Sequence, residues 1–517
     1  MRRALEPQNL HRRDAEGAET SQRNGISSLR DLCALCVSAV KVLTFLRRAP
    51  AAARAKGRAP IAVTALAALL GGCAIAPPPY ERPSAPVADS FAGGPGSGTA
   101  ASEIAWQDFF ADARLRRLIE IALADNRDLR AAVLAIEQSR AQYQIRRADE
   151  LPSVNAAASL TRQPNASGGI GSTYLVGLAF ASYEIDLFGR IRNLSDAALA
   201  QFFATGEARK AAQISLVAAV ASAHLALLAD DELLEVTRQT LATREESLRL
   251  TRLRFDNGAS SELDVRLAES LDEGARATLA QQLRQRAFDE NALVLLIGRP
   301  LPANLPAPIR LADQPLRFDL PAGVPSQVLA RRPDVRQAEQ QLIAANANIG
   351  AARAAFFPRI SLTGSVGLAS THLSDLFRSG SFAWSFAPQI ALPIFDSGRN
   401  QANFEVAQVS RDILVAQYER TLQTAFREVA DALAGRANLG EQLRAQQAQA
   451  NAEAVRARLA DLRYRNGAAS LLDVLDAQRS LFAAQQAVVQ VQAARALNGV
   501  ALYKALGGGW TEPAPAP

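Results

Sequence analysis

Leu253-Arg254-Phe255-Asp256-Asn257-Gly258-Ala259-Ser260-Ser261-Glu262-Leu263-Asp264-Val265 returns 209 residues later as Leu462-Arg463-Tyr464-Arg465-Asn466-Gly467-Ala468-Ala469-Ser470-Leu471-Leu472-Asp473-Val474, with nine of thirteen positions identical. Other pairs keep nearly the same offset. Leu187-Phe188-Gly189-Arg190 answers Asp396-Ser397-Gly398-Arg399, Pro152 answers Pro358, and Asp128 answers Asp334. A repeat of about 200 residues is far longer than solenoid periods. The chain is therefore two similar halves, and its function is expected from a pseudo-symmetric assembly.

Proline spacing gives the quoted stretch its place. No proline occurs from 165 to 299 or from 394 to 512. Proline breaks helix interiors, so these two runs, rich in Ala, Leu, Gln, Arg and Glu, have the length and composition of very long helices. In the first, Val220, Leu227, Leu234, Leu241, Leu248 and Phe255 recur every seven residues. In the second, Leu475, Phe482, Val489, Ala496 and Tyr503 do the same. Such a period is the seam of supercoiled helices. Each run has one break, at Asn257-Gly258 and Asn466-Gly467, where left-handed backbone ends a helix. Ser261 and Ser470 then cap the returning helix. Each run is thus expected to be a helical hairpin, at about 194–298 and 398–506. Its long arm would reach roughly 90 Å.

Before each hairpin the texture changes. Ser153–Arg162, Tyr174–Asp186, Arg359–Ser370 and Ser381–Leu392 are poor in charge. Tyr174, Val176, Leu178 and Phe180 share one parity, as do Phe382, Trp384 and Phe386. Period two means strands with one apolar face. Their length suits tilted membrane strands, and their aromatics suit a lipid-facing belt. A soluble β-sandwich core remains the alternative. Lipid forbids open sheet edges, and four strands cannot close a barrel. Two chains give eight strands, filled by side chains, so an open lumen needs at least three.

The 517 residues carry a formal net charge of +6, but the leader holds it. Residues 1–72 contain 12 of the 57 Lys and Arg and 5 of the 51 Asp and Glu, which leaves the body at −1. A near-neutral body argues against nucleic-acid binding. Arg47, Arg48, Arg54, Lys56 and Arg58 precede an apolar stretch from Ile61 to Leu70 that is too short to span a membrane. It ends in Leu70-Gly71-Gly72-Cys73, which looks like a bacterial lipobox. Cys73 is accordingly expected to carry a covalent lipid, palmitate included, and to start the mature chain after a removed signal peptide. The first 40 or so residues do not fit a signal peptide. Met1 is the sole methionine, so translation is expected to begin near Val42–Leu46 at a non-AUG codon.

Residues 73–105 read as an extended Pro/Gly-rich tether. The first repeat spans 106–300 (strands about 153–186), a connector 301–325, the second repeat 326–508 (strands about 359–394), and a tail 509–517. No catalytic or metal constellation stands out, so no enzyme and no cofactor beyond the Cys73 lipid are expected. Cys33 and Cys36 fall in the leader, and His11, His224 and His372 are far apart. Gly93–Gly98 lacks the strand-to-helix context of a phosphate loop. Asn165-Ala166-Ser167 reads as a loop between strands.

The chain resembles the TolC-like outer-membrane efflux proteins, in particular the NodT-type lipoproteins that include OprM. The matching strings are Asp186-Leu187-Phe188-Gly189-Arg190, Arg331-Arg332-Pro333-Asp334-Val335, Ala354-Ala355-Phe356-Phe357-Pro358, Leu392-Pro393-Ile394-Phe395-Asp396-Ser397-Gly398-Arg399 and Leu475-Asp476-Ala477-Gln478-Arg479-Ser480-Leu481. The resemblance implies a mainly α fold with a membrane β-barrel. It implies a homotrimer whose twelve-stranded barrel in the outer membrane continues as a twelve-helix coiled-coil periplasmic tunnel. It also implies the exit duct of a tripartite multidrug-efflux pump, joined through a periplasmic membrane-fusion adaptor to an inner-membrane RND transporter. Gate positions then fall on Leu472, Asp476 and Arg479, which lie on one helix face at i, i+4 and i+7. Without the resemblance, Asp476 and Arg479 read as a local pair on a solvated face. Adaptor contacts are expected at the tips: Asn257, Gly258, Ser261 and Leu263, then Asn466, Gly467 and Ser470. Competing readings are a lipid-anchored periplasmic adaptor or scaffold, a type I secretion duct, and a lipoprotein enzyme.

Overall fold

The computed structural model describes residues 78–91, 104–164, 168–315, 329 and 331–510. Cys73, the leader, Gly93–Gly98, Asn165-Ala166-Ser167 and much of the connector lie outside the described residues. The described chain runs twice through one programme. After α1 (Trp106–Phe109) and α2 (Ala113–Asp125) come α3 (Arg127–Ala148), β1 (Asn155–Pro164), β2 (Ile170–Glu184), α4 (Arg190–Asp256) and α5 (Glu262–Ile297). The second pass is α6 (Pro333–Ala354), β3 (Arg359–Ser370), β4 (Phe382–Ala391), α7 (Arg399–Arg465) and α8 (Leu471–Ala505). The duplication holds at the level of length: α3 and α6 have 22 residues each, α4 and α7 have 67 each.

Sixty-seven residues make a helix of about 100 Å. Local sequence permits this length and tertiary packing sustains it. Val220, Leu227, Leu234 and Leu248 of the α4 row are buried, as are all five residues of the α8 row. Phe255 departs from the expected seam: it is 42% exposed, because the row has reached the tip, where no helix covers it. An apolar window in α4 meets the length and hydropathy of a membrane span, but 56% of it is buried inside the protein. It serves as a core helix. The shorter helices α3 and α6 carry the same seven-residue period in fewer turns: Leu129, Ile136 and Tyr143 in α3, and the buried Val335, Leu342 and Ile349 in α6. Asn126 caps α3 by accepting from the Leu129 amide at 2.8 Å, and Pro333 opens α6 at a first-turn position that needs no N–H.

The four strands form one antiparallel sheet in the order β1-β2-β3-β4. Register decides its faces. Ala158 stands opposite Val176, Val176 opposite Leu368, and Leu368 opposite Phe382. Ala156, Leu178, Val366 and Trp384 form the next row, and Phe180, Gly364 and Phe386 another. These rows make one face apolar. The other carries Asn155, Ala179, Ser365 and Ser385, with the two serine hydroxyls 2.7 Å apart. Phe180 closes over Gly364 so tightly that a Cβ there would meet its ring at 2.5 Å. Pro164 ends β1, an edge strand, where a missing N–H is tolerated. A bulge at Ser182 (φ 53°) bends β2 just before it leaves the sheet.

Strands and helices meet at tightly bonded junctions. Arg190 grips Glu184 with two bonds of 2.8 Å, and Arg359 binds the same carboxylate. Phe188 stacks on Phe357 at 5.1 Å. The main core lies around α1, α2 and the end of α8. Tyr503 stacks on Phe109 at 4.0 Å and donates to the Ile104 carbonyl at 2.6 Å. His224 is a core residue, 3.2 Å from Asp112. Arg332 of the Arg-Arg-Pro-Asp-Val string is buried. It binds Asp334 at 2.7 Å, Glu428 on α7 at 2.8 Å and the Ala505 carbonyl at the end of α8 at 2.8 Å. The segment expected to be a tether is extended but docked: Phe91 is buried and stacks on Phe426 at 4.5 Å.

Candidate functional site: the hairpin tips and the strand sheet

Each tip is built by the same hydrogen bonds. Gly258 (φ 72°) and Gly467 (φ 70°) take the left-handed backbone that ends the descending helix. Ala259 N–H then reaches the Arg254 carbonyl at 2.7 Å, and Ala468 the Arg463 carbonyl at 2.8 Å, closing a Schellman motif in both halves. Asn257 and Asn466 donate to the Leu253 and Leu462 carbonyls at 2.6 and 2.7 Å. Ser261 and Ser470 form complete capping boxes with Asp264 and Asp473. These bonds to serine hold both carboxylates below their usual range. The tips are therefore rigid and pre-formed, with Leu263 and Leu472 projecting at 69% and 59% exposure.

The copies differ in side chains. Leu471 tucks in at 7% exposure, whereas its counterpart Glu262 stays in solvent against Arg266 at 3.3 Å. Arg254 of the first tip lies 4.7 Å over the Tyr464 ring of the second. Higher up, Arg244 lies 5.1 Å from the Phe482 ring, and Gln478 donates to Ser247 at 3.4 Å. The two hairpins are thus tied side by side.

Leu472, Asp476 and Arg479 do share one face of α8. Within the chain, Asp476 carries both a local pair and a cross-link between helices. Arg479 pairs with Asp476 on its own helix at 2.5 Å, so that pair is local. The cross-link is made by Arg456 of α7, which binds the other oxygen of Asp476 and also Glu453 at 3.0 Å. Hydrogen bonds from Arg479 first and Arg456 second hold the Asp476 carboxyl below its ordinary value. Arg456 escaped the sequence reading because nothing in its local pattern marks it. Its only signal is the hairpin itself: once Asn466-Gly467 is fixed as the turn, positions about ten before and ten after face each other. Shifted back by 209, the pair becomes Ser247 and Leu267, so the first hairpin lacks this ion pair.

The strand residues sit as the register requires. Phe382, Trp384 and Phe386 are 67%, 70% and 61% exposed, Val176 and Leu178 lie in the same rows two strands away, and Tyr174 and Phe180 are half-buried on the same face. Exposed aromatics in a row on one sheet face belong in lipid or an interface, not in a sandwich core. Among the described residues no cluster of His, Cys, Asp and Glu has the form of a metal site.

The match to the outer membrane efflux protein family model covers residues 118–299 and 324–508, one segment per repeat. The Pseudomonas aeruginosa outer membrane protein OprJ is 48% identical over 457 residues, covering 86% of this chain and 95% of OprJ. The toluene efflux pump outer membrane protein TtgC of Pseudomonas putida is 46% identical over 466 residues, covering 87% and 95%. Among solved structures, the open state of the Neisseria gonorrhoeae MtrE outer membrane channel is 45% identical with a TM-score of 0.77, covering 84% of this chain and 98% of that one. With a family match over both repeats and relatives this similar over nearly their whole length, the chain belongs to the outer membrane efflux proteins.

Proposed function

We propose that the chain is one of three identical subunits of a gated outer-membrane duct, the exit channel of a tripartite RND-type pump that moves small molecules from periplasm to exterior. The carrying observation is a sheet with an exposed apolar face and two unpaired edges, β1 and β4. A sheet in lipid must close. Three copies of a four-stranded sheet supply twelve strands, enough for a lumen. The helices carry the same open ends. α3 packs on α4, α4 on α6 and α6 on α7, which leaves α3 and α7 at the ends of the row. Their outer faces expose Leu134 on α3 and Val406, Val409 and Ile413 on α7, an apolar seam between neighbours.

The pre-formed tips are the docking points for a periplasmic adaptor, and through it an inner-membrane transporter. Leu472 supplies an apolar constriction, and Asp476 with Arg456 and Arg479 an ionic one. Salt bridges at a wet tip are individually weak, about 0–1 kcal/mol, so adaptor contacts suffice to open them. The relatives' names speak of toluene, solvent and antibiotic efflux, and small apolar or amphipathic compounds are the cargo class for this chain. A lipid on Cys73 adds the membrane anchor. Planar-bilayer recording of the purified protein tests the reading. A trimeric preparation should conduct weakly and a Leu472→Ser variant strongly. Absence of conductance from both overturns it.

A further inference from the structure

One stripe of α6 has a use the duct does not explain. Glu339, Asn346 and Arg353 are spaced by seven, so they lie one above another on the helix. The N-terminal segment occupies the first two. Arg82 grips Glu339 with bonds of 2.7 and 2.6 Å, Tyr80 adds a third at 3.3 Å, and Asn346 donates to the Pro78 carbonyl at 2.7 Å. Traced toward its N-terminus, the segment therefore climbs α6 toward the strands. Arg353 is next on the stripe. It is exposed and has no ion pair or side-chain hydrogen bond among the described residues.

Chain length then bounds the level of the anchor. The five residues from Cys73 to Pro78 reach at most about 17 Å, and the seven from Asn346 to Arg353 rise about 10 Å. An acyl anchor on Cys73, as proposed above, must enter lipid within that reach. The strand end of the stripe is therefore the end nearer the membrane, and Arg353 lies within reach of the entry level. Three residues on, Phe356 is exposed, and β3 follows. The counterpart of Arg353 in the first repeat is Arg147, at the same place near the end of α3. It too is exposed and lacks an ion pair among the described residues, while its neighbour Arg146 is taken by Asp149 at 3.7 Å. Exposed Leu151 and Val154 follow it.

We propose that Arg353, together with Arg147, binds the phosphate of an anionic phospholipid in the periplasmic leaflet of the outer membrane. A guanidinium offers a planar fork of donors to a phosphate, and apolar side chains just beyond it fit the acyl region. The competing role is interaction with the carbonyls that end each helix, which would require no lipid. This inference rests on the membrane reading above.

Full-length protein reconstituted in phosphatidylcholine bilayers with spin-labelled phosphatidylglycerol or spin-labelled phosphatidylcholine tests it. The wild type should immobilise the anionic label preferentially. Arg353→Gln with Arg147→Gln should cut that preference by up to about fivefold per arginine, and Arg353→Lys should keep most of it. Equal association of the two labels with wild type overturns the proposal. So does an unchanged preference in the double variant, including one that has lost only thermal stability, which marks a helix-end role. Palmitate labelling and outer-membrane fractionation of the same preparations report separately on the anchor and on the duct.

Discussion

Asp476 on α8 is bound by Arg456 on α7, an ion pair across the second hairpin whose counterpart positions in the first hairpin are Ser247 and Leu267. The duplicated chain is therefore asymmetric just above its tips. The first hairpin is cross-linked at other positions, Arg252 to Glu269 at 3.1 Å and Arg276 to Glu245 at 2.5 Å, so what is particular to the second is a cross-link on the face that carries Leu472 and Arg479.

If this pair restrains the tip, Arg456→Ala and Asp476→Ala should raise single-channel conductance to a similar extent. Arg479→Ala, which removes only a local pair, should do less. Planar-bilayer recordings rank the three. Wild-type conductance in Arg456→Ala would rule out the cross-link as a restraint.

The same carboxylate sets a pH dependence. Its folded pKa lies below the ordinary 3.8, so the pairing is fully present above that value and is lost as pH falls through the lower one. Conductance of the wild type should stay flat from neutral pH down to about 4 and rise below it. In Asp476→Asn the acid-induced rise should be absent.

Burial acts in the opposite direction on Asp230. Desolvation first, then the neighbouring Asp289, pushes its pKa up to about 7. A carboxyl raised in the folded state stabilises below its unfolded pKa, and that contribution fades as pH climbs through 7. Asp230→Asn should raise Tm at pH 8 by a few degrees, about 1 kcal/mol or more, and leave it nearly unchanged at pH 4. Thermal unfolding of the detergent-solubilised protein at both pH values decides. A lower Tm at pH 8 contradicts the burial argument.

Face assignment of the sheet predicts unequal costs at adjacent positions. Trp384→Arg puts charge on the apolar face and should destabilise the folded assembly by about 2–4 kcal/mol. Ser385→Arg, one residue on and facing the other way, should cost well under half of that and alter conductance instead. Heat-modifiable mobility of the assembly on gels measures both. Equal loss in the two would reverse the faces.

Arg332 ties three elements at once. Arg332→Met leaves the Ala505 carbonyl and two half-exposed carboxylates unpaired, a cost of about 2 kcal/mol. Lysine, a point charge without the fork, should recover only part. A variant as stable as wild type in chemical denaturation would show the clamp to be dispensable.

The Arg-Arg-Pro-Asp-Val string shows the difference between recognising residues and explaining them. It marked a family resemblance, yet why Arg332 matters appeared only with α7 and α8 beside it. Tips, caps and strand parity were legible because their causes are local. Asn257-Gly258 ends a helix whatever surrounds it, Ser261 finds its own Asp264, and Phe382, Trp384 and Phe386 share a face by pleat alone. Phe255 was misplaced in the buried seam for the same reason: periodicity does not report where a row runs out of partners.

By itself the sequence determined the doubling, the long hairpins, the strands with one apolar face and the kinship. Each is written in spacing along the chain, and spacing controls backbone conformation. The tertiary structure alone decided that Arg456 meets Asp476, that Arg332 meets Glu428, and that Arg82 fastens the N-terminal segment to Glu339. Such pairs join residues 20, 96 and 257 positions apart. They depend on the register and rotation of packed helices, which local periodicity leaves free.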